Sequence, residues 1–281
     1  IQAEGRRTLV DPVFRSAAPL SLLNRPFKGT DIYRPEEMPD IDYLIVTHDH
    51  WDHLDYRTVR ELKERIGRVI CPLGVGEHFE YWGFDPAKIV ELDWHEQQTL
   101  GDGFTVRCLP SRHFSGRGLS SNQTLWGSFL LQTPARKIYM GGDGGYGRHF
   151  AEIGEEFPDI DLAVLENGQY DEAWKYIHTM PDQLAKAAKE LGARRRGGSA
   201  GNSATGACAG RRSDGIIAHR TESGFNAAIP VPAGSFRRKP AIRTETSRTE
   251  ATYGEATRPA PKHLRRSDLC RNICGGSEAP T

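Results

Sequence analysis

Cysteine is scarce in this chain, with five residues in 281, and Cys71, Cys108, Cys208, Cys270 and Cys274 form no paired framework. That argues against a small disulfide-stapled domain. Cys71 and Cys108 each end an apolar run and read as buried free thiols, for which a reducing compartment is the natural setting. Cys270 and Cys274 lack a second Cys or His pair that would complete a zinc knuckle. No signal-peptide pattern and no bilayer-spanning apolar run is visible. The chain opens at Ile1 rather than methionine, so an upstream segment is expected to have been removed. A net charge is lacking too, since 37 basic residues meet 37 acidic ones. The balance hides a split: residues 1–193 carry 21 Lys+Arg against 30 Asp+Glu (21 − 30 = −9), and residues 194–281 carry 16 against 7 (16 − 7 = +9). All five tryptophans fall in the first part. The length allows one large or two small domains, and the composition shift near Arg194 is the candidate boundary.

What is present centres on Tyr43-Leu-Ile-Val-Thr-His48-Asp-His50-Trp-Asp52-His53. Leu44 to Thr47 reads as a buried strand. Extended backbone sends alternate side chains the same way, so His48, His50 and Asp52 project together and His53 follows as the chain turns. A polar surface turn is the plain alternative. Three imidazoles and a carboxylate within six residues would repel one another and lose solvation unless a cation lay between them. They are the donor types that suit zinc and similar divalent metals.

Along the rest of the first part, strands alternate with helices and then run together. Strands are predicted at Thr8–Val10, Arg68–Cys71, Lys88–Leu92, Phe104–Leu109, Leu125–Gln132, Lys137–Met140 and Leu162–Leu165. Helices are predicted at Tyr56–Ile66, Val75–Trp82, Tyr146–Phe157 and Pro181–Leu191, the last with Thr179 as candidate cap and Gly192 as its stop. A Pro- and Arg-rich stretch at 15–40 reads as a long surface loop. This order suits two sheets packed face to face with helices outside.

Two more apolar strands deliver a chemical group at their ends. Val106-Arg-Cys-Leu-Pro-Ser-Arg-His113 brings a histidine, and Ile138-Tyr-Met-Gly-Gly-Asp143-Gly-Gly-Tyr146 brings a carboxylate in a glycine-rich turn, where the backbone can approach closely. His178 stands just ahead of the Pro181 helix, either as a surface or capping group or as one that contacts substrate. His78, His95 and His149 read as structural.

The histidine motif resembles that of the metallo-β-lactamase superfamily. Joined with Pro72-Leu-Gly, Ile89-Val-Glu-Leu-Asp-Trp94, Pro110-Ser-Arg-His113, Leu125-Trp-Gly-Ser128, Gly142-Asp143-Gly-Gly-Tyr146 and His178-x-x-Pro181, it looks like the branch of N-acyl-phosphatidylethanolamine-hydrolysing phospholipases D. The match covers about residues 1–193. It implies an α/β fold, a four-layer αβ/βα sandwich, with two Zn2+ ions and phosphodiester hydrolysis by a hydroxide formed on them. His48, His50 and His113 would hold the first ion, Asp52 and His53 the second, and Asp143 would bridge them. Asp52 and Asp143 would orient the hydroxide, and His178 matches a family histidine at the substrate phosphate. A phospholipid substrate implies contact with a membrane surface by a protein that is otherwise cytoplasmic. Phe14, Leu20, Leu22, Leu23 and Phe27 could supply that contact or pack onto the protein instead.

The sequence departs from the family pattern in three places. The first family strand, with its Gly-His motif, is missing. Gly144 stands where a threonine is usual. The family strand ending in His-Trp-Gly, whose histidine closes the second metal site, is not seen after Gly192. Residues 194–281 hold ten Leu, Ile, Val or Phe in 88 positions, too few to offset chain entropy. They are expected to be an irregular or disordered basic tail, read as the frame-shifted translation of a GC-rich gene. A nucleic-acid partner is not expected, because aromatics are not interleaved with the basic residues. His219 is a weak candidate for a substitute ligand. The competing functional readings are a lactone hydrolase using the same metals and an inactive remnant lacking the last ligand.

Overall fold

The computed structural model of the chain describes residues 1–17, 33–118, 120–166 and 171–199, the last five through their backbone alone. Strand β1 (Gln2–Ala3) turns back antiparallel onto β2 (Arg6–Val10). Then β3 (Ile41–Ile45), β4 (Ile66–Pro72) and β5 (Ile89–Leu92) add in parallel, giving the order β1-β2-β3-β4-β5. The connections between them carry helices α1 (Tyr56–Leu62) and α2 (Gly76–Tyr81), as parallel pairing requires.

A second sheet has the order β11-β10-β9-β8-β7-β6. Its antiparallel part is β6 (Gln97–Gly101), β7 (Phe104–Leu109), β8 (Ser128–Gln132) and β9 (Lys137–Met140). Helix α3 (His149–Glu156) leads to β10 (Leu162–Glu166), and α4 (Pro181–Glu190) leads to β11 (Arg195–Ser199). Both strands run parallel to β9.

The layers follow from the two-residue period of the strands. On β3 and just beyond it, Leu44 and Val46 pack outward with Val59 and Leu62 of α1 and Phe79 of α2, while Tyr43 and Ile45 face the other sheet. On β8, Phe129 and Leu131 face inward to meet them, and Leu130 packs outward with Phe150 and Ile153 of α3 and Ala187 and Ala188 of α4. Three apolar clusters therefore separate four layers: helices, sheet, sheet, helices. Each fully buried Leu or Phe contributes roughly 1.5–3 kcal/mol.

The structure corrects several expectations. Helix α1 stops at Leu62, a 3-10 turn occupies Lys63–Arg65, and Ile66 opens β4, so its side chain serves the sheet rather than a helix. Helix α3 starts at His149 and β8 at Ser128, because the residues before them are held in loops that shape the site. Strand β6 was not foreseen; it is an edge strand with few apolar residues. Thr179 does not cap α4: the cap is Met180, and the Thr179 hydroxyl donates to Gly144 O instead (2.6 Å). The expectation of no strand after Gly192 is also overturned. Arg195–Ser199 pairs residue for residue with Leu162–Glu166, backbone pairing needing no apolar side chain. The tail from residue 200 on, with His219 and three of the cysteines, lies outside the described residues, as do Leu20, Leu22, Leu23 and Phe27. Phe14 packs on the first core cluster, the second of the two roles considered for it.

Candidate metal centre

Apart from His178, which stands just ahead of α4, the side chains of interest sit at or just beyond the C-terminal ends of strands. Asp11 follows β2, His48 to His53 follow β3, His113 follows β7, Asp143 follows β9, and Glu166 closes β10. The two sheets bring these ends together at one edge, where ligands bind in open parallel sheets for the same topological reason.

The loop after β3 is pinned from several sides. His53 N and Leu54 N donate to His50 O (3.0 and 2.9 Å), closing a tight turn. Arg117 donates to Asp49 O and Leu54 O (3.1 and 2.6 Å), with its guanidinium 3.9 Å from the centre of the Trp51 ring. The His113 turn is anchored by Trp126, whose Nε1 donates to Ser111 O (2.9 Å).

Three of the imidazoles are each oriented through one nitrogen. The Thr47 hydroxyl gives its proton to Asp11 Oδ2 (2.7 Å), so at His48 Nδ1 (3.0 Å) it acts as acceptor. His113 Nδ1 donates to Ile177 O (2.9 Å), and His53 Nδ1 to Asp11 Oδ2 (2.9 Å). The opposite nitrogens are thereby left as lone pairs in the neutral rings. His48 Nε2 and His113 Nε2 both face His50 Nδ1, at 2.9 and 3.2 Å. Burial, and then the neighbouring imidazoles, hold His48 well below the usual histidine range. Burial takes His113 down to about 3, against the opposing pull of Asp143, and lowers His50 as well. Neutral imidazole is the form that binds metal.

His53 Nε2 is buried without a hydrogen-bond partner and lies 3.2 Å from Asp143 Oδ2. Burial would lower the His53 pKa, but Asp143 and Asp11 outweigh it and hold it well above the usual range. Burial likewise opposes ionisation of Asp143, and the His53 charge overcomes this and keeps it low. Three sets of donor atoms lie within 4.8 Å of one another: His48, His50 and His113; His48, His53 and Asp143; and Asp143, Glu166 and His178. The donor types and the orphaned His53 nitrogen fit metal ions.

Six of the seven side chains singled out in the sequence are thus brought together: His48, His50, His53, His113, Asp143 and His178. Asp52 stands apart. It is half buried, belongs to none of the three donor sets among the described residues, and reaches His50 and His178 through its charge. Two residues were missed. Asp11, directly after β2, holds His53 and Thr47. Glu166, buried at the end of an apolar strand, accepts from His178 Nδ1 (2.8 Å) and from Thr179 N. A carboxylate that ends such a strand on the edge bearing the other ligands was the available signal. At Gly144, a Cβ would run into the Ser111 hydroxyl, which donates to Asp143 O (2.9 Å), so the space of the family threonine is already filled.

The family model of the beta-lactamase superfamily domain matches residues 6–196. The chain belongs to this superfamily. Its four layers are those of the αβ/βα sandwich. It is 34% identical over 242 residues to an uncharacterised protein of Mycobacterium tuberculosis, covering 85% of this chain and 57% of that one. It is 32% identical over 211 residues to N-acyl-phosphatidylethanolamine-hydrolyzing phospholipase D 1 of Caenorhabditis elegans, covering 69% of this chain and 58% of the relative. The chain therefore spans a little over half the length of these curated relatives. Among solved structures, isothiocyanate hydrolase from Delia radicum gut bacteria superposes with a TM-score of 0.54 at 17% identity, over 72% of this chain and 81% of that one, a likeness of fold. No helix among the described residues is long and apolar enough to cross a membrane.

Proposed function

We propose that this superfamily member hydrolyses phosphodiester bonds, with phospholipid headgroups as the substrate class and zinc as the metal. The reading rests chiefly on the convergence of His48 Nε2, His50 Nδ1 and His113 Nε2, with His53 and Asp143 beside them. The C. elegans relative and a yeast relative, 31% identical over 206 residues, carry the phospholipase D name and support the choice of bond. In this reading His48, His50 and His113 would hold one cation and His53 and Asp143 the second, while Asp52, outside the donor sets among the described residues, would have to turn inward to join them. Bound cations supply a water of lowered pKa and an electrophilic contact for the phosphoryl oxygen. Asp143, and Asp52 once turned inward, would orient the attacking oxygen, and His178 would steady the phosphate charge. A phospholipid substrate would bring the protein to a membrane surface.

The test is Asp143→Asn, with metal content and turnover measured on phosphodiesters and, in parallel, on lactones. Wild-type turnover of phosphodiesters and its loss in the variant are expected. Unchanged turnover with full metal would overturn the assignment of Asp143, and turnover of lactones alone would overturn the choice of bond. Co-sedimentation with phospholipid vesicles tests the membrane contact; no binding would retire it.

A further inference from the structure

Glu166 has no place in the reading above, yet burying a third carboxylate beside Asp143 is costly unless it is fully paired. It is fully paired. One oxygen accepts from Thr179 N and the other from His178 Nδ1 at 2.8 Å. His178 itself ends a turn in which Ile177 N and His178 N both donate to Trp174 O (2.9 Å each). The backbone on either side is tied down as well: Ile177 O accepts from His113 Nδ1 (2.9 Å), and the Thr179 hydroxyl donates to Gly144 O (2.6 Å). The His178 ring stands 5.4 Å from the His113 ring, centre to centre, and its Nδ1 is 3.9 Å from Asp143 Oδ2. Without Glu166 the ring could rotate and offer Nδ1 to the site. With it, Nδ1–H is committed to a carboxylate, and Nε2 is the nitrogen left to meet a substrate.

We infer that Glu166 is a positioning residue: it fixes the tautomer and direction of His178 so that Nε2 meets the phosphate. This rests on the phosphodiesterase reading. Glutamine in its place keeps the shape, but its single carbonyl oxygen cannot accept from both His178 Nδ1–H and Thr179 N–H. The rival use of the same atoms is a cation held by Asp143, Glu166 and His178, and it is separated from this one by metal content.

Four forms of the chain decide the matter: wild type, Glu166→Gln, His178→Gln and the double variant, assayed with bis(p-nitrophenyl) phosphate alongside metal analysis. Glu166→Gln should lower kcat about 10–100-fold with KM within about threefold and metal unchanged, the usual scale for a partner that orients an active imidazole. In the His178→Gln background the second substitution should cost no further activity, because a residue acting through another adds nothing once that other is gone. Glu166→Asp, which keeps the charge, should restore part of kcat. Loss of a metal equivalent, or equal losses in both backgrounds, would overturn the inference. Proton NMR supplies a readout free of turnover. A downfield His178 Nδ1–H resonance should be present in the wild type and absent or shifted in Glu166→Gln. A resonance indifferent to that change would overturn the inference as well. If the wild type cleaves no phosphodiester, the function proposed above fails, while the NMR result still decides the Glu166–His178 pair.

Discussion

Replacing Asp11 by asparagine isolates the part played by a residue that touches no substrate. Asp11 Oδ1 accepts from Thr47 N (2.8 Å), and Oδ2 accepts from the Thr47 hydroxyl (2.7 Å) and from His53 Nδ1 (2.9 Å). Its backbone lies in the left-handed region, φ 44°, which asparagine tolerates as well as aspartate, so the turn should survive. The amide keeps one acceptor, for Thr47 N. Its NH2 then faces two groups that need an acceptor. The simplest relief is for His53 to give up its Nδ1 proton and carry it on Nε2, the atom that faces Asp143 and the second metal position. Hydrogen bonds to charged groups contribute about 1.5–3 kcal/mol, and partners of this kind typically change metal affinity about 10–100-fold. The second equivalent of zinc should therefore bind about 10–100-fold more weakly, while the equivalent held by His48, His50 and His113 changes less. Competition against a chromophoric chelator measures both constants. A second equivalent bound as tightly as in the wild type would refute the argument that Asp11 sets the His53 tautomer.

Three further outcomes are expected. Phe129→Ala, which empties a fully buried position between the sheets, should cost about 3–5 kcal/mol in urea unfolding. Cys71 and Cys108 are buried free thiols whose pKa values burial pushes up, so peptide mapping after iodoacetamide should find them unmodified until the chain is unfolded. His149 is held near 4 by burial and then by Arg112, so unfolding takes up a proton between pH 6.5 and 4. Stability should therefore fall as pH drops through that window, by up to about 3 kcal/mol. His149→Gln should flatten that part of the slope in chelator-treated protein, and an unchanged slope would count against it.

The sequence made the first ligand loop legible because strand and ligands are contiguous there: the two-residue period that sends Leu44 and Val46 to one face continues to His48 and His50. His113 and Asp143 were legible through the same pairing of strand and ligand, strengthened by family order. Asp11 was not. It lies 42 positions from His53 in the chain, and nothing local shows that a carboxylate after β2 will meet a histidine after β3. Glu166 was hidden by the apolar run it ends, and its role depends on a turn that returns His178 to it. Strand β11 escaped because its pairing is carried by backbone, so an Arg-Arg-Gly-Gly-Ser segment joins the sheet without the apolar pattern that would have announced it. Strand β6 escaped because an edge strand exposed on one side needs few apolar residues.

The central claim is that imidazoles and carboxylates from both sheets form a centre for two metal ions. The most direct measurement is metal analysis of chelator-stripped protein after re-equilibration with zinc, beside the His113→Ala and His53→Ala variants. The account predicts about two equivalents in the wild type and about one in each variant. A folded wild type that retains no zinc, or variants that bind as much as it does, would contradict it.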